Sequence, residues 1–257
     1  MKVFTDVKIN LGLHVLRRRP DGFHDIETLF VPYRGLGDEL EISPASEEGG
    51  AGGVDIRIWN CSWDPQKDLT VKAWRLLKED FPELPAVRIR LRKGAPVGAG
   101  LGGGSADAAC ALRMISEIFA LGLSSERLAA YAARLGSDCA FFIYDTPMLG
   151  SGRGEILEPF DMDLSAYELR VEAPEGVSVS TKEAYAGIRP REDRAPLREI
   201  LAAPVEQWRE LLHNDFEDSV FPAYPQIRSL KESLYERGAV YAAMSGSGSA
   251  VFGLFRK

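Results

Sequence analysis

The stretch Pro96-Val97-Gly98-Ala99-Gly100-Leu101-Gly102-Gly103-Gly104-Ser105-Ala106 decides the reading of this chain. Between Gly98 and Gly104 five of seven residues are glycine, which favours neither helix nor strand. Upstream, Val87-Arg88-Ile89-Arg90-Leu91-Arg92 alternates apolar and cationic residues and predicts a half-buried strand. Downstream, Ala108, Leu112, Ile115 and Phe119 recur at helical spacing through Ser105 to Leu121. A strand, a glycine loop and a helix start in this order make an anion site. Bare N–H groups face outward and the helix dipole adds positive potential. The loop reads as a polyphosphate cradle.

Two better-known glycine loops do not fit. A Walker A loop ends in Gly-Lys-Ser/Thr, and no lysine follows here. The dinucleotide pattern G-x-G-x-x-G is present at Gly98, Gly100 and Gly103. Its context is wrong, because a buried parallel strand does not alternate with three arginines and no acidic residue closes a second strand. The H-R-D and D-F-G triplets of protein kinases are absent from the sequence.

At 257 residues, 45% hydrophobic and 27% charged, the chain reads as a soluble globular protein of one large or two small domains. Its formal charge of −7 argues against general nucleic-acid affinity. Local clusters, Arg17-Arg18-Arg19 and Arg88, Arg90, Arg92 with Lys93, could still serve an anionic substrate. No apolar run reaches a membrane span, and three scattered cysteines, Cys61, Cys110 and Cys139, fit a reducing cytoplasm.

Outward from the loop, residues 3–16 alternate strictly and predict a strand, with Lys8, Asn10 and His14 on its polar face. Strands are expected near 26–33, 38–43, 54–59, 167–173, 239–244 and 250–255. Helices are expected over 68–81, from 124 to 135, and around 181–187, 206–213 and 222–236. Residues 44–53 read as a mobile hairpin tip and 150–154 as a turn-rich junction. Mixed strands with segregated helices point to an α+β fold. Asp138, between the Gly136 stop and an apolar run, fits either a helix-start acid or a catalytic carboxylate. Ser245-Gly246-Ser247-Gly248-Ser249, between apolar strands, predicts close approach of the backbone to something else.

Three blocks in order resemble the GHMP small-molecule kinases. The first is Lys8-Ile9-Asn10-Leu11 with Arg19-Pro20-Asp21-Gly22-Phe23-His24 and Glu27-Thr28-Leu29-Phe30. The second is Gly100 to Ser105 with Asp107-Ala108-Ala109, and the third is Ser245 to Gly248. The R-P-D-G-(aromatic)-H block points to the branch that phosphorylates the tertiary C2 alcohol of a cytidine diphosphate-linked methylerythritol, in non-mevalonate isoprenoid supply.

That resemblance implies an N-terminal ribosomal-S5-like domain over 1–152 and a C-terminal ferredoxin-like domain over 153–257. It implies ATP with Mg²⁺, its phosphates lying on Pro96, Val97, Gly98, Ala99, Gly100, Leu101, Gly102, Gly103, Gly104, Ser105 and Ala106, with Asp68 near the adenine. No metal ligand is assigned. Asp138 matches the general base and Lys8 its cationic partner. Asn10 would contact the alcohol, His24 would hydrogen-bond the cytosine, Phe23 and Tyr185 would stack on it, and Thr181 would line the same wall. Ala106 replaces a common serine, Phe23 a common tyrosine, and Ser137-Asp138-Cys139-Ala140 a more usual Ala-Asp-Val-Pro; none removes a reacting group. The competing expectations are a homoserine, mevalonate or sugar kinase, or a non-catalytic nucleotide-binding regulator on the same fold. Oligomeric state is not legible in the sequence.

Overall fold

The computed structural model describes residues 1–45 and 53–257. Most of the hairpin tip expected at 44–53 therefore falls on 46–52, outside the described residues. The chain forms two compact units interleaved in sequence. One comprises Met1–Val7, Leu36–Val97 and Gly102–Asp145; the other comprises Lys8–Gly35, Gly98–Leu101 and Thr146–Lys257. Two long strands, β1 (Lys2–Arg18) and β2 (His24–Pro44), contribute residues to both units.

In the first unit β3 (Val54–Trp59) runs parallel to β4 (Val87–Arg92), and β4 pairs antiparallel with the end of β2, Glu39 opposite Arg92. Val87, Ile89 and Leu91 are fully buried, whereas Arg88 and Arg92 are exposed and Arg90 is half-buried. The alternation thus reports a half-buried strand, as expected, although its neighbour β3 is parallel. Helices α1 (Leu69–Asp80), α2 (Gly103–Ile118) and α3 (Ser125–Leu135) pack together. Residues Ala106, Ala108, Ala109 and Ala111 of α2 are buried, and such small side chains let neighbouring helices come close. Asp68 caps α1 and Ser124 caps α3, fixing both starts. The short α4 (Phe141–Tyr144) packs on α2.

In the second unit the start of β2 pairs antiparallel with β5 (Met148–Ser151), which turns into β6 (Ile156–Pro159). The expected junction at 150–154 is this hairpin. A second sheet has the order β7 (Tyr167–Glu172), β9 (Val251–Arg256), β8 (Tyr241–Met244), all antiparallel. Around it lie α5 (Thr181–Ala186), α6 (Leu197–Leu201), α7 (Trp208–Leu211), α8 (Phe216–Val220) and α9 (Pro225–Glu236). The apolar faces of α5, α8 and α9 share a core with Leu13, Val15, Ile26, Met244 and Val251.

One expectation is corrected. The strands expected at 26–33 and 38–43 are a single strand, His24–Pro44. Gly37 within it permits close approach of β1: a Cβ there would lie 2.0 Å from the Thr5 carbonyl oxygen. No helix among the described residues is long and apolar enough to cross a membrane.

Candidate active site

The polar face of β1 is not solvated. Lys8, Asn10 and His14 are all 2–3% exposed, so β1 is buried on both sides over residues 7–15. Lys8 donates to Asn10 Oδ1 (2.6 Å) and to the Gly100 carbonyl oxygen (2.8 Å), and its ammonium lies 5.6 Å from the Phe30 ring centre. Asn10 Nδ2 donates to Thr28 Oγ1 (3.0 Å), which donates to the Gly12 carbonyl (2.6 Å). Ser245 Oγ accepts from the Asn10 N–H (3.2 Å) and donates to the Gly100 carbonyl (3.1 Å). A buried ammonium is tolerable only when paired or hydrogen-bonded, and here its surroundings fix it against the glycine loop.

Glycine is required in that loop for two reasons. Gly98, Gly100 and Gly102 have φ of 70°, 78° and 73°, a left-handed region that other residues enter at a cost. Ala99 and Leu101 between them are 3% and 1% exposed and anchor the loop. A Cβ at Gly100 would also lie 2.1 Å from the Ser245 carbonyl oxygen, and the Ala250 N–H bonds the Ala99 carbonyl (3.0 Å). The glycine-serine run at 245–249 therefore does approach another backbone closely, and that backbone is the glycine loop.

Gly102 is the N-cap of α2 and offers no side chain to it, so the first amides of the helix are free of side-chain capping. Their chemistry suits an anion. Asp138 is half-buried in the turn between α3 and α4. The next residue, Cys139, is buried, and burial raises its thiol pKa to about 11, with Ser105 opposing and the Asp138 charge adding to the rise. Helix α4 has no side-chain cap, so Asp138 is not its helix-start acid.

On the other unit His24 stacks on Tyr185, ring centres 4.7 Å apart and 14° from parallel, and Phe216 meets Tyr185 edge-on at 4.8 Å. Burial, then the Arg18 charge, lowers the His24 pKa, which favours the neutral ring. Phe23 is 53% exposed, with the Arg153 guanidinium 4.9 Å from its ring centre. Tyr185 thus has His24 on its face and Phe216 at its edge. Thr181 Oγ1 lies 3.2 Å from Ser247 Oγ.

The family model for the GHMP kinases N terminal domain matches residues 68–146, and that for the GHMP kinases C terminal domain matches 197–257. A 4-diphosphocytidyl-2-C-methyl-D-erythritol kinase of Bacteroides fragilis is 48% identical over 99% of this chain and 92% of that protein. The chain belongs to this family of GHMP kinases. A relative of the same name from Cytophaga hutchinsonii is 46% identical, covering 98% of this chain and 91% of its own length. A crystal structure of 4-(cytidine 5'-diphospho)-2C-methyl-D-erythritol kinase superposes with a TM-score of 0.82 at 32% identity, covering 99% of this chain and 90% of its own. A homoserine kinase from Cytophaga hutchinsonii shares the fold at a TM-score of 0.66 and 18% identity, over 98% of this chain and 86% of its own. The expected α+β, two-domain GHMP fold is the observed one.

Within this GHMP kinase several expected or unnoticed residues have roles set by local contacts. Asp68 Oδ1 accepts from the Thr70 N–H (2.9 Å) and hydroxyl (2.7 Å), and Oδ2 accepts from Trp63 Nε1 (3.1 Å). Of the residue expected near adenine, Oδ1 thus serves the α1 cap and Oδ2 holds the Trp63 indole. Most arginines of the basic clusters have partners close by: Arg88 and Arg90 bind Asp55, Arg92 lies over Trp59, and Arg17 and Arg19 bind Asp25. Lys93, read as the end of a basic cluster, is buried against Asp38 and Asp107. The available signal was an acid, Asp107, placed among the alanines of the first turns of α2.

His14 is a further buried group. Its Nδ1 has no hydrogen-bond partner among the described residues; Glu27 Oε2, 3.9 Å away, accepts the Leu197 N–H instead (2.8 Å). Burial first, then the Arg194 charge, lowers its pKa from 6.5 to about 4. The unfolded chain therefore binds this proton below pH 6.5 while the folded chain resists it until about 4. Its stability contribution is complete above 6.5 and is lost as pH falls between those values, on the order of 3 kcal/mol in all. Urea unfolding of the unmodified protein and His14→Leu at pH 7.5 and 4.5 checks this. The unmodified protein should lose more stability than the variant by that order.

Proposed function

We propose that this chain transfers the γ-phosphoryl group of ATP to the C2 hydroxyl of 4-diphosphocytidyl-2-C-methyl-D-erythritol, giving the 2-phosphate and ADP. The observation that carries the reading is identity of 48% to a relative of that name along 99% of the chain. The fixed Lys8 beside the glycine loop and the uncapped start of α2 support the phosphoryl-transfer part. The reaction belongs to non-mevalonate isoprenoid precursor supply, in the cytoplasm.

In this reading the triphosphate lies on residues 96–106, held by loop amides and the start of α2. Asp138 takes the proton from the C2 hydroxyl as its oxygen attacks the γ-phosphorus; the bond to the β-phosphate oxygen breaks and ADP leaves. Lys8 steadies the charge that develops on the attacking oxygen, and Asn10 holds Lys8 and the alcohol in register. Neutral His24 can both donate to and accept from a cytosine edge, which a purely apolar wall cannot do. Its stack with Tyr185 offers a ready platform, with Phe23 and Thr181 beside it. Asp68 shapes the adenine end through α1.

Mg²⁺ is part of the proposal as the companion of ATP, neutralising charge on its phosphates. No group of three or more His, Cys, Asp or Glu gathers as a metal cage among the described residues, and Mg²⁺ binds well through substrate phosphates and water. The functional division is placed at 152/153, with nucleotide binding N-terminal to it. Product analysis by ³¹P NMR tests the reading: a new phosphomonoester with equimolar ADP supports it, and ATP left intact beside this alcohol refutes it.

A further inference from the structure

Four side chains from different parts of the first unit meet in one buried cluster. Thr5 comes from β1, Asp38 from β2, Lys93 follows β4 and Asp107 lies on α2; none is more than 7% exposed. Lys93 Nζ donates to Asp38 and to Asp107 Oδ2 (2.7 Å). Asp38 Oδ1 accepts the N–H groups of Gly94 (2.7 Å) and Ala95 (2.9 Å). Thr5 Oγ1 donates to Asp107 Oδ1 (2.7 Å). Gly103, the first residue of α2, packs on the same cluster: a Cβ there would lie 3.3 Å from Asp38 Oδ2 and 3.7 Å from Lys93 Nζ.

Two carboxylates share one ammonium, and burial pushes Asp107 upward against the pull of Lys93. Such a cluster is a poor source of stability, because desolvation offsets most of the attraction. Its placement suggests another use. Asp38 grips the chain where it enters the glycine loop, at 94–95, and Asp107 grips the helix on which the loop ends. Lys93 joins the two grips. The loop itself is short of side chains, so its geometry depends on where its ends are held.

We infer that Lys93 is a positioning residue for nucleotide binding, setting through Asp38 and Asp107 the separation of the two ends of the glycine loop and the aim of the first α2 amides. This rests on the reading that the loop holds the ATP phosphates.

The discriminating variant is Asp107→Ala. It leaves a neutral Lys93–Asp38 pair, so no buried charge is stranded and the fold survives, but the tether to α2 is cut. Calorimetric titration with ATP should show a dissociation constant raised about tenfold, with kcat at saturating ATP within about threefold of the unmodified protein. Lys93→Met should raise it further, and the double variant should bind no worse than Lys93→Met, since one tether cannot be cut twice. A purely structural cluster would lower Tm and leave ATP affinity unchanged, and that result overturns the inference. Additive losses in the double variant also overturn it. If the unmodified protein bound no ATP, the reading of the loop would fall first and this inference with it.

Discussion

Replacing Asp138 by asparagine is expected to lower kcat by about two to four orders of magnitude, the usual worth of a positioned general base. The amide keeps the size of the side chain, so the turn, closed by the Cys139 N–H on the Gly136 carbonyl, stays in place. What is lost is the ability to take a proton from a tertiary alcohol while its oxygen attacks phosphorus. ATP affinity should remain within about twofold, because the loop amides and the α2 start are untouched. Steady-state kinetics at saturating alcohol, paired with ATP titration of the same sample, separates the two quantities. Turnover within about tenfold of the unmodified protein would remove Asp138 from the proton transfer.

Lys8→Met is expected to lower kcat by about two to three orders, comparable with removing a donor that stabilises transition-state charge. The ammonium is 3% exposed and spends bonds on Asn10 Oδ1 and the Gly100 carbonyl. Methionine fills a similar volume beside Phe30 but leaves both oxygens without that donor. The Gly100 carbonyl keeps the Ser245 hydroxyl, but Asn10 Oδ1 loses its donor, at a cost of the order of 1–3 kcal/mol that a thermal melt would register. The decisive contrast lies in the kinetics. A loss in kcat with little change in either KM places Lys8 at the transition state, whereas a loss confined to KM would assign it to ground-state binding only.

Period and turn chemistry made most elements legible, because they are local signals. β1, β3, β4, α1, α2 and α3 all begin and end near their expected positions. Properties depending on distant partners were not legible. The polar face of β1 reads as solvated until Ser245, 235 residues away, covers Asn10. The stretches 26–33 and 38–43 read as two strands, whereas the chain runs through as one and Gly37 lets Thr5 come close. Lys93 reads as one more surface cation until Asp38, 55 residues earlier, claims it.

The candidate site shows the same limit. The glycine loop announced itself by composition, and its left-handed residues are the glycines at 98, 100 and 102. The aromatic wall did not, since sequence gives ring identities without orientations. His24 lies on Tyr185, and Phe23 faces Arg153. A homoserine kinase shares this fold at 18% identity, so the fold leaves the alcohol unspecified. Substrate choice rests on the R-P-D-G-F-H segment and on the family match.

The most direct measurement is kcat/KM of the unmodified protein with ATP on two alcohols: 4-diphosphocytidyl-2-C-methyl-D-erythritol, and methylerythritol phosphate lacking the cytidine portion. A site that hydrogen-bonds the cytosine should favour the first by about four orders of magnitude or more. Equal turnover of the two would contradict the account.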